Sequence, residues 1–463
     1  MKEIQFTNNT TNYPMSDIGT SKLFIDTYKD ELLYCAENDY WYYFNGKHWQ
    51  IDTMLKRNEL IKDLAEFCTN QIFQTVHNQD QGNLLKWYGK LGDKNYRDKI
   101  LKDAMSINPV CTSNFNSHKF LFNCTNGTYD FEKGLFREHN RNDMLTDISG
   151  VEYDPNATCP RFNKFMDEIM ISDKTKIDYL LEIAAYALTG DTSKECFFVL
   201  YGDSTRNGKG TYVATLSRLM GSYAQTLNPA AITRKQINNG ASAASPEMAK
   251  LTSSRLVNVN ELEDGMLLDV ALMKSLTGGD SMTARNLYKN EFEYTPQFKI
   301  LINTNVLPRM TDDSIFRSDR MHIVAFNRHF EEHERDTNLK VTLQQELSGI
   351  FNLLIAQYKI FKSKGFTIPA ESKQILESYH TDSNHVIEFA NEKLTKDPRG
   401  AIKASYAYNL YKEWSQDNGY PSTGKKVFKE RMIRLGAIFT DKVSKKLEGM
   451  ASENTYWIEG YSI

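Results

Sequence analysis

Between residues 196 and 326, short unbroken apolar runs alternate with helical text: CFFVLYG, RLVNV, QFKILINTN and MHIVAF. A strand buried on both faces reads as a continuous run, so this stretch predicts an α/β domain with a sheet covered on each side. Upstream the rhythm differs. LLYCAENDYWYYFNGKHWQID places two aromatic runs around Asn45-Gly46, a two-residue hairpin signal. FNCTNGTYDFEKGLFREH predicts further turns at Asn126-Gly127 and Lys133-Gly134. Apolar residues at three- and four-residue intervals predict helices near 56–76 and 97–107, then PRFNKFMDEIM and KIDYLLEIAAYALTG, the last closed by Gly190 as a C-terminal cap. After residue 327 the pattern is helical again. The tail reads as two helices, SYAYNLYKEWSQDNG and GKKVFKERMIRLG, followed by strand-like text ending in NTYWIEG. The expected division is 1–150 (α+β), 151–195 (helical lead-in), 196–370 (α/β) and 371–463 (a small terminal unit).

Composition narrows the class. Of 463 residues, 40% are hydrophobic and 25% charged, which excludes a disordered or collagen-like chain. The formal charge is -3, so a nucleic-acid partner would have to meet local basic patches. The six cysteines include no Cys-x-x-Cys pair, which removes support for a zinc ribbon. There is no secretory-type apolar run at the start and no run of about 18 apolar residues anywhere. The expectation is therefore a protein of the cytoplasm, that of a bacterial host, without a membrane partner.

The sharpest chemical signal is Gly202-Asp203-Ser204-Thr205-Arg206-Asn207-Gly208-Lys209-Gly210-Thr211, between the strand CFFVLYG and the helical text TYVATLSRLM. A triphosphate cradle needs this context: glycines turn backbone N–H groups toward the anion, the helix N-terminus adds its dipole, and a lysine reaches the β/γ-phosphates. Gly202 stands one residue further from Gly208-Lys209 than in the standard P-loop, and Gly210 occupies the usual hydroxyl position. Thr211 is thus the candidate for magnesium. ATP and Mg2+ are the expected cofactors. An ATPase also needs a carboxylate at the metal and the attacking water. LVNVNELED supplies Glu261 at a strand end, with Glu263 and Asp264 beside it. On the strand KILINTN an amide can sense the γ-phosphate, Asn305 in preference to Asn303. Arg317 and Arg320, before MHIVAF, could reach a neighbour's nucleotide.

In order, the NGKGT loop, LVNVNELED, LMKSLTGGDSMTARNLYKNEFEYTPQFKILINTNVLP and the arginine-bearing strand resemble the superfamily 3 helicase domain of phage, plasmid and poxvirus primase-helicases. NGTYDFEKG and EYDPNATCPRF resemble the segment preceding it, and the tail is similar to the family's winged-helix module. The resemblance covers roughly 30–330. It implies an AAA+ type P-loop core and a hexameric ring translocating 3′ to 5′ on single-stranded or forked DNA. Glu261 and Asn305 would serve catalysis with Lys209. Arg320, or Arg317, would be the arginine finger. A pore hairpin would carry Lys289, with Arg285 a second candidate. Lys274 and Asp280 also match the family pattern without an assigned step. In the tail, Lys425, Lys426, Lys429, Arg431, Arg434, Lys442, Lys445 and Lys446 form a basic stretch, and a helix–turn–helix with a β wing could read duplex origin DNA. With no zinc spacing or acidic pair near the start, no primer synthesis is expected. The competing readings are a P-loop phosphotransferase and a nucleotide-regulated origin-binding protein without processive unwinding.

Overall fold

Five strands build the central sheet: β1 (Phe197–Tyr201), β2 (Ala224–Leu227), β3 (Leu256–Asn260), β4 (Lys299–Thr304) and β5 (Met321–Ala325). A computed structural model describes residues 13–76, 80–233, 246–263, 266–285, 291–308, 310, 314–382, 385–418, 420, 422–441, 443–445 and 453–463. The strand order is β5-β1-β4-β3-β2 and every pairing is parallel. The continuous apolar runs have a direct cause. Phe198, Leu200, Leu301 and Val324 enter one core, whereas Phe197, Val199, Ile300, Ile302 and Ile323 enter another on the opposite face. The first face is covered by α1 (Pro160–Ile169), α2 (Lys174–Ala187), α3 (Lys209–Met220) and α5 (Leu347–Lys364), and the second by α4 (Val270–Thr277). The mixed α/β architecture with a central parallel sheet follows the sequence pattern.

Two basic residues lie where the sequence gives no hint of burial. Arg255 and Lys299, just before β3 and at the start of β4, are each 1% exposed. Arg255 donates to Leu188 O (2.7 Å) and Leu121 O (2.5 Å), and Lys299 Nζ to Asp191 O (2.9 Å) and Thr189 O. The carbonyls at the end of α2 carry the negative pole of the helix, so cations satisfy groups that would otherwise be orphaned. This corrects the role expected of Gly190. The helix stops at Ala187, and Gly190 is not in the left-handed region. Gly190 N donates to Lys119 O (2.6 Å), and a Cβ there would sit 3.2 Å from Lys119 Cα and displace the Gln297 amide, so the glycine serves a close approach of two chain segments. Arg255→Met should cost about 3 kcal/mol by stranding two buried carbonyls; the shift of the urea midpoint measures it, and an unshifted midpoint would show the cation to be dispensable.

The N-terminal residues 13–115 have their own core, built from helices Asp17–Tyr28, Lys56–Thr75, Asp80–Tyr88 and Lys94–Ala104 around Leu23, Leu64, Tyr88 and Ile100. Their sheet joins Leu32–Cys35, Tyr40–Phe44 and Trp49–Ile51. The Asn45-Gly46 turn is longer than expected. Phe44 pairs with Trp49, leaving four loop residues, because Asn45 Oδ1 accepts from both Lys47 N and His48 N at 2.9 Å. The second antiparallel sheet, Leu121–Cys124, Gly127–Asp130 and Leu135–Arg137, packs with the α/β core, where Phe122 stacks on Tyr223 and Phe351.

The tail runs α6 (His385–Lys393), β6 (Thr395–Lys403), α7 (Ala404–Asp417), α8 (Lys425–Arg434), β7 (Ile438–Phe439) and β8 (Trp457–Ser462), with sheet order β6-β8-β7 and a separate core around Phe389, Tyr411 and Phe428. No helix among the described residues is long and apolar enough to cross a membrane.

Candidate functional site

The loop from Gly202 to Gly208 leaves the C-terminal end of β1 and opens α3, as the motif requires. Gly208 has φ +89, and Lys209 N at the start of α3 donates to Asn207 Oδ1 at 3.4 Å, while Gly208 itself offers no capping side chain to the amides that follow. A Cβ on Gly202 would fall 2.5 Å from Asn207 Nδ2 and 2.8 Å from Phe326 O, and one on Gly208 2.4 Å from Ile169 Cγ2. Asn207 shapes the turn by donating to Ser204 O at 2.7 Å. Gly210 and Thr211 follow in the first helical turn, with Gly210 exposed and Thr211 half-buried.

Lys209 is 4% exposed, and its ammonium donates to Gly202 O (3.0 Å), Thr304 O (3.0 Å) and Asn305 Oδ1 (2.7 Å). Burial lowers its pKa from 10.5 to about 8, against a smaller opposing effect from the Asp203 charge. The lysine therefore joins the β1 loop to the tip of β4, the strand beside β1. Asn305, one residue past β4, is the amide brought to it. Asn303 instead offers its carbonyl to Glu261 N at 2.8 Å.

Glu261 follows the last residue of β3 and is exposed, with a left-handed backbone (φ +55) uncommon for a non-glycine residue. That turn places it on the same C-terminal edge as the loop, the edge where open α/β sheets bind ligands. Glu263 is exposed nearby, while Asp264 lies outside the described residues. Asn258, a polar residue within β3, is 2% exposed and donates to Ser217 Oγ at 2.8 Å, tying β3 to α3.

Arg320 sits at the other edge. Its carbonyl accepts from Phe197 N at the start of β1, and its guanidinium meets Glu195 Oε2 (2.5 Å), Thr277 Oγ1 (3.1 Å) and Lys274 O (3.4 Å). A five-residue strand spans about 17 Å, so Arg320 and its own chain's loop occupy opposite ends of the sheet. Glu195 and Thr277 escaped the sequence reading because they reach Arg320 only through tertiary contact. The Arg317 backbone closes helix Ser314–Arg317, and its side chain lies outside the described residues. Lys274 Nζ donates to Ser314 Oγ; Asp280 follows the Gly278-Gly279 turn.

Met282–Arg285 and Glu291–Tyr294 form the expected antiparallel hairpin, with Arg285 half-exposed and 3.8 Å from Glu291; Lys289 lies outside the described residues. On α8, Lys425, Lys426 and Lys429 are exposed, whereas Arg431 is 4% exposed and part of the packed interior. Lys442 and Lys446 lie outside the described residues.

The loop's chemistry fits a nucleotide polyphosphate: first-turn amides of α3, Gly202 and Gly208 with no room for a Cβ, and a buried ammonium. No cluster of three or more His, Cys, Asp or Glu among the described residues could hold a metal alone. That fits magnesium carried by phosphates and water with one or two protein oxygens, for which Thr211 and Glu261 stand at the site.

Residues 21–171 match the family described as D5 N terminal like, and residues 381–456 the one described as Poxvirus D5 protein-like. The mimivirus protein "Putative helicase L207/L206" (Acanthamoeba polyphaga mimivirus) is 26% identical over 441 residues, covering 86% of this chain and 45% of its own length. "Putative helicase 022R" of Frog virus 3 (isolate Goorha) is 23% identical over 327 residues, covering 66% and 33%. The apo C-terminal region of NrS-1 superposes with a TM-score of 0.53 at 12% identity, covering 96% of this chain and 99% of that one. Two separate segments of the chain thus match D5-type families, and the viral proteins similar to it over most of its length carry the name putative helicase. It spans less than half the length of the curated viral relatives named here. Residues 200–320, which hold the phosphate-type loop and Arg320, also match a family of unknown function. For this D5-like chain the NrS-1 likeness concerns the fold, which extends over the N-terminal unit, the parallel-sheet core and the tail.

Proposed function

We propose that this chain is an ATP-driven ring helicase of a mobile genetic element, translocating on single-stranded DNA during replication. The observation that carries the reading is the seat of Lys209, where one ammonium bridges the β1 loop and Asn305 of β4. In this reading Lys209 and the α3 amides bind the triphosphate, and the water is polarised by Glu261 and positioned by Asn305. Magnesium, when bound with the nucleotide, neutralises developing phosphate charge, and Thr211 and Glu261 are the residues that would hold it. Arg320 completes the site of the next subunit, because its own loop is a strand's length away; a hexamer supplies that geometry. Lys289 and Arg285 would track the DNA backbone from the hairpin. The helix–strand–helix–helix order of residues 385–434, followed by four strands among the described residues to 463, supports a winged-helix unit whose α8 presents Lys425, Lys426 and Lys429 to duplex origin DNA.

ATP turnover measured with and without oligonucleotide, together with unwinding of a forked duplex, tests this. Single-stranded DNA should stimulate turnover several-fold and the fork should open. Turnover indifferent to DNA, with phosphate passed to a small acceptor, would mark a phosphotransferase. DNA binding without unwinding would mark a nucleotide-regulated binder.

The lowered Lys209 pKa adds a pH dependence. Above about pH 8 the free protein carries this lysine neutral. A bound triphosphate favours the charged form, so binding takes up a proton there and affinity falls as pH rises from 8 toward 10. Calorimetry at pH 9 in buffers of different ionisation enthalpy should report this uptake, and Lys209→Ala should abolish it.

A further inference from the structure

We propose that the cleft between the N-terminal unit and the hairpin Met282–Tyr294 is a second binding site for single-stranded DNA, one that holds unstacked bases rather than phosphates. The proposal rests on the helicase reading above and adds to it a surface that the ATPase and hairpin lysines do not use.

The cleft has a volume of about 970 Å³, at the upper end of the range for small-molecule sites. Tyr40, Tyr43 and Gln50 of the N-terminal unit line it together with Phe292 and Tyr294 of the hairpin and Ser253. Rings, amides and hydroxyls dominate the lining. The charged residues there are Lys250, Glu293 and Asp147, and they provide no cationic excess. Burial raises the Asp147 carboxyl above its ordinary value. Such a lining suits the flat faces and hydrogen-bonding edges of bases, because aromatic stacking is indifferent to sequence and to charge. A phosphate cradle would need lysines and arginines in its place.

Tyr294 sharpens the case. Its hydroxyl is buried and makes no hydrogen bond among the described residues, although the ring lines the cleft. A buried hydroxyl left unpaired is costly, and a base edge offers both donors and acceptors. Burial also raises its pKa to about 12, so the group stays a donor at any working pH.

The hairpin supplies the rings from one face. Ala284 pairs with Phe292 and Met282 with Tyr294, while Arg285 pairs with Glu291. Side chains alternate across a strand, so Phe292 and Tyr294 share one face and Arg285, Glu291 and Glu293 stand on the other. Glu293 also lines the cleft, so contacts there fall to rings and hydrogen-bonding groups and not to a basic face.

The test uses the full chain with oligo-dT carrying 5-iodouracil, photocrosslinked and mapped by mass spectrometry. Crosslinks are expected at Tyr40, Tyr43, Phe292 or Tyr294. Ser113→Trp, at an exposed serine of the cleft lining, fills the space. It should weaken oligo-dT binding roughly 10-fold by the same factor at low and high salt, with turnover in the absence of DNA unchanged. Crosslinks confined to other surfaces, or oligo-dT binding by Ser113→Trp equal to wild type, would overturn the proposal. A wild-type chain whose turnover responds to DNA but which gives no cleft crosslink refutes the cleft alone. A chain that crosslinks in the cleft but shows no DNA-stimulated turnover refutes the motor and leaves the cleft standing.

Discussion

Lys209→Ala is expected to lower ATP turnover roughly 100- to 1000-fold, the scale of removing one preorganised donor from a transferring phosphoryl group. Its seat explains why the loss should be specific. Without nucleotide the ammonium is held by two carbonyls and the Asn305 amide in a buried position. The charged form is disfavoured there, as the lowered pKa records. Removing it lifts a desolvation cost but strands the Gly202 and Thr304 carbonyls, so the urea midpoint should fall by the equivalent of about 1–3 kcal/mol while the chain still folds. DNA binding through the tail should persist. The comparison with Asn305→Ala is informative: loss of the sensing amide frees the lysine, which lowers turnover while leaving nucleotide affinity largely intact. A Lys209→Ala chain with wild-type turnover would remove the loop from the chemistry.

Arg320→Ala should cause a loss of comparable or larger size, roughly 1000-fold, because a finger acts on charge that develops only in the transition state. Within the folded chain the guanidinium, 19% exposed, pairs with Glu195, itself 49% exposed and open to solvent, and hydrogen-bonds Thr277. Such pairs contribute at most about 1 kcal/mol, so the variant should fold and bind nucleotide as wild type does. Arg320→Lys should not rescue it, since an ammonium lacks the planar fork that spans two oxygens. Turnover that survives Arg320→Ala would direct attention to Arg317.

The parts of this molecule legible from sequence are those whose cause is local. Continuous apolar runs marked β1, β3, β4 and β5 because each alternates side chains between two covered faces, and Gly208-Lys209 marked the loop because strand, glycine and helix are contiguous. Asn305 could be chosen over Asn303 from its place beyond the strand, and the structure sets it against Lys209. The strand order β5-β1-β4-β3-β2 was not legible, since it depends on pairings between distant segments. No local feature marks Arg255 and Lys299 for burial; their partners, the carbonyls just past α2 and that of Leu121, come from distant segments. The expectation of Gly190 as a helix cap fails for the same reason, since those cations take the carbonyls of Leu188, Thr189 and Asp191 that follow the helix. Asn258 within β3 is polar, and its partner Ser217 lies on α3. The surroundings of Arg320 share this origin: Glu195 lies just before β1 and Thr277 is the last residue of α4, with no motif of their own.

The central claim is that each nucleotide is held by one subunit and its hydrolysis completed by the next. Mixing the two inactive variants, Lys209→Ala and Arg320→Ala, and measuring DNA-stimulated ATP turnover tests it most directly. In a randomly mixed ring, about one quarter of boundaries pair an intact Lys209 with an intact Arg320 from the neighbour. The account predicts that turnover returns to about that fraction of wild type, from two preparations that each show almost none. A mixture as inactive as its components would contradict it.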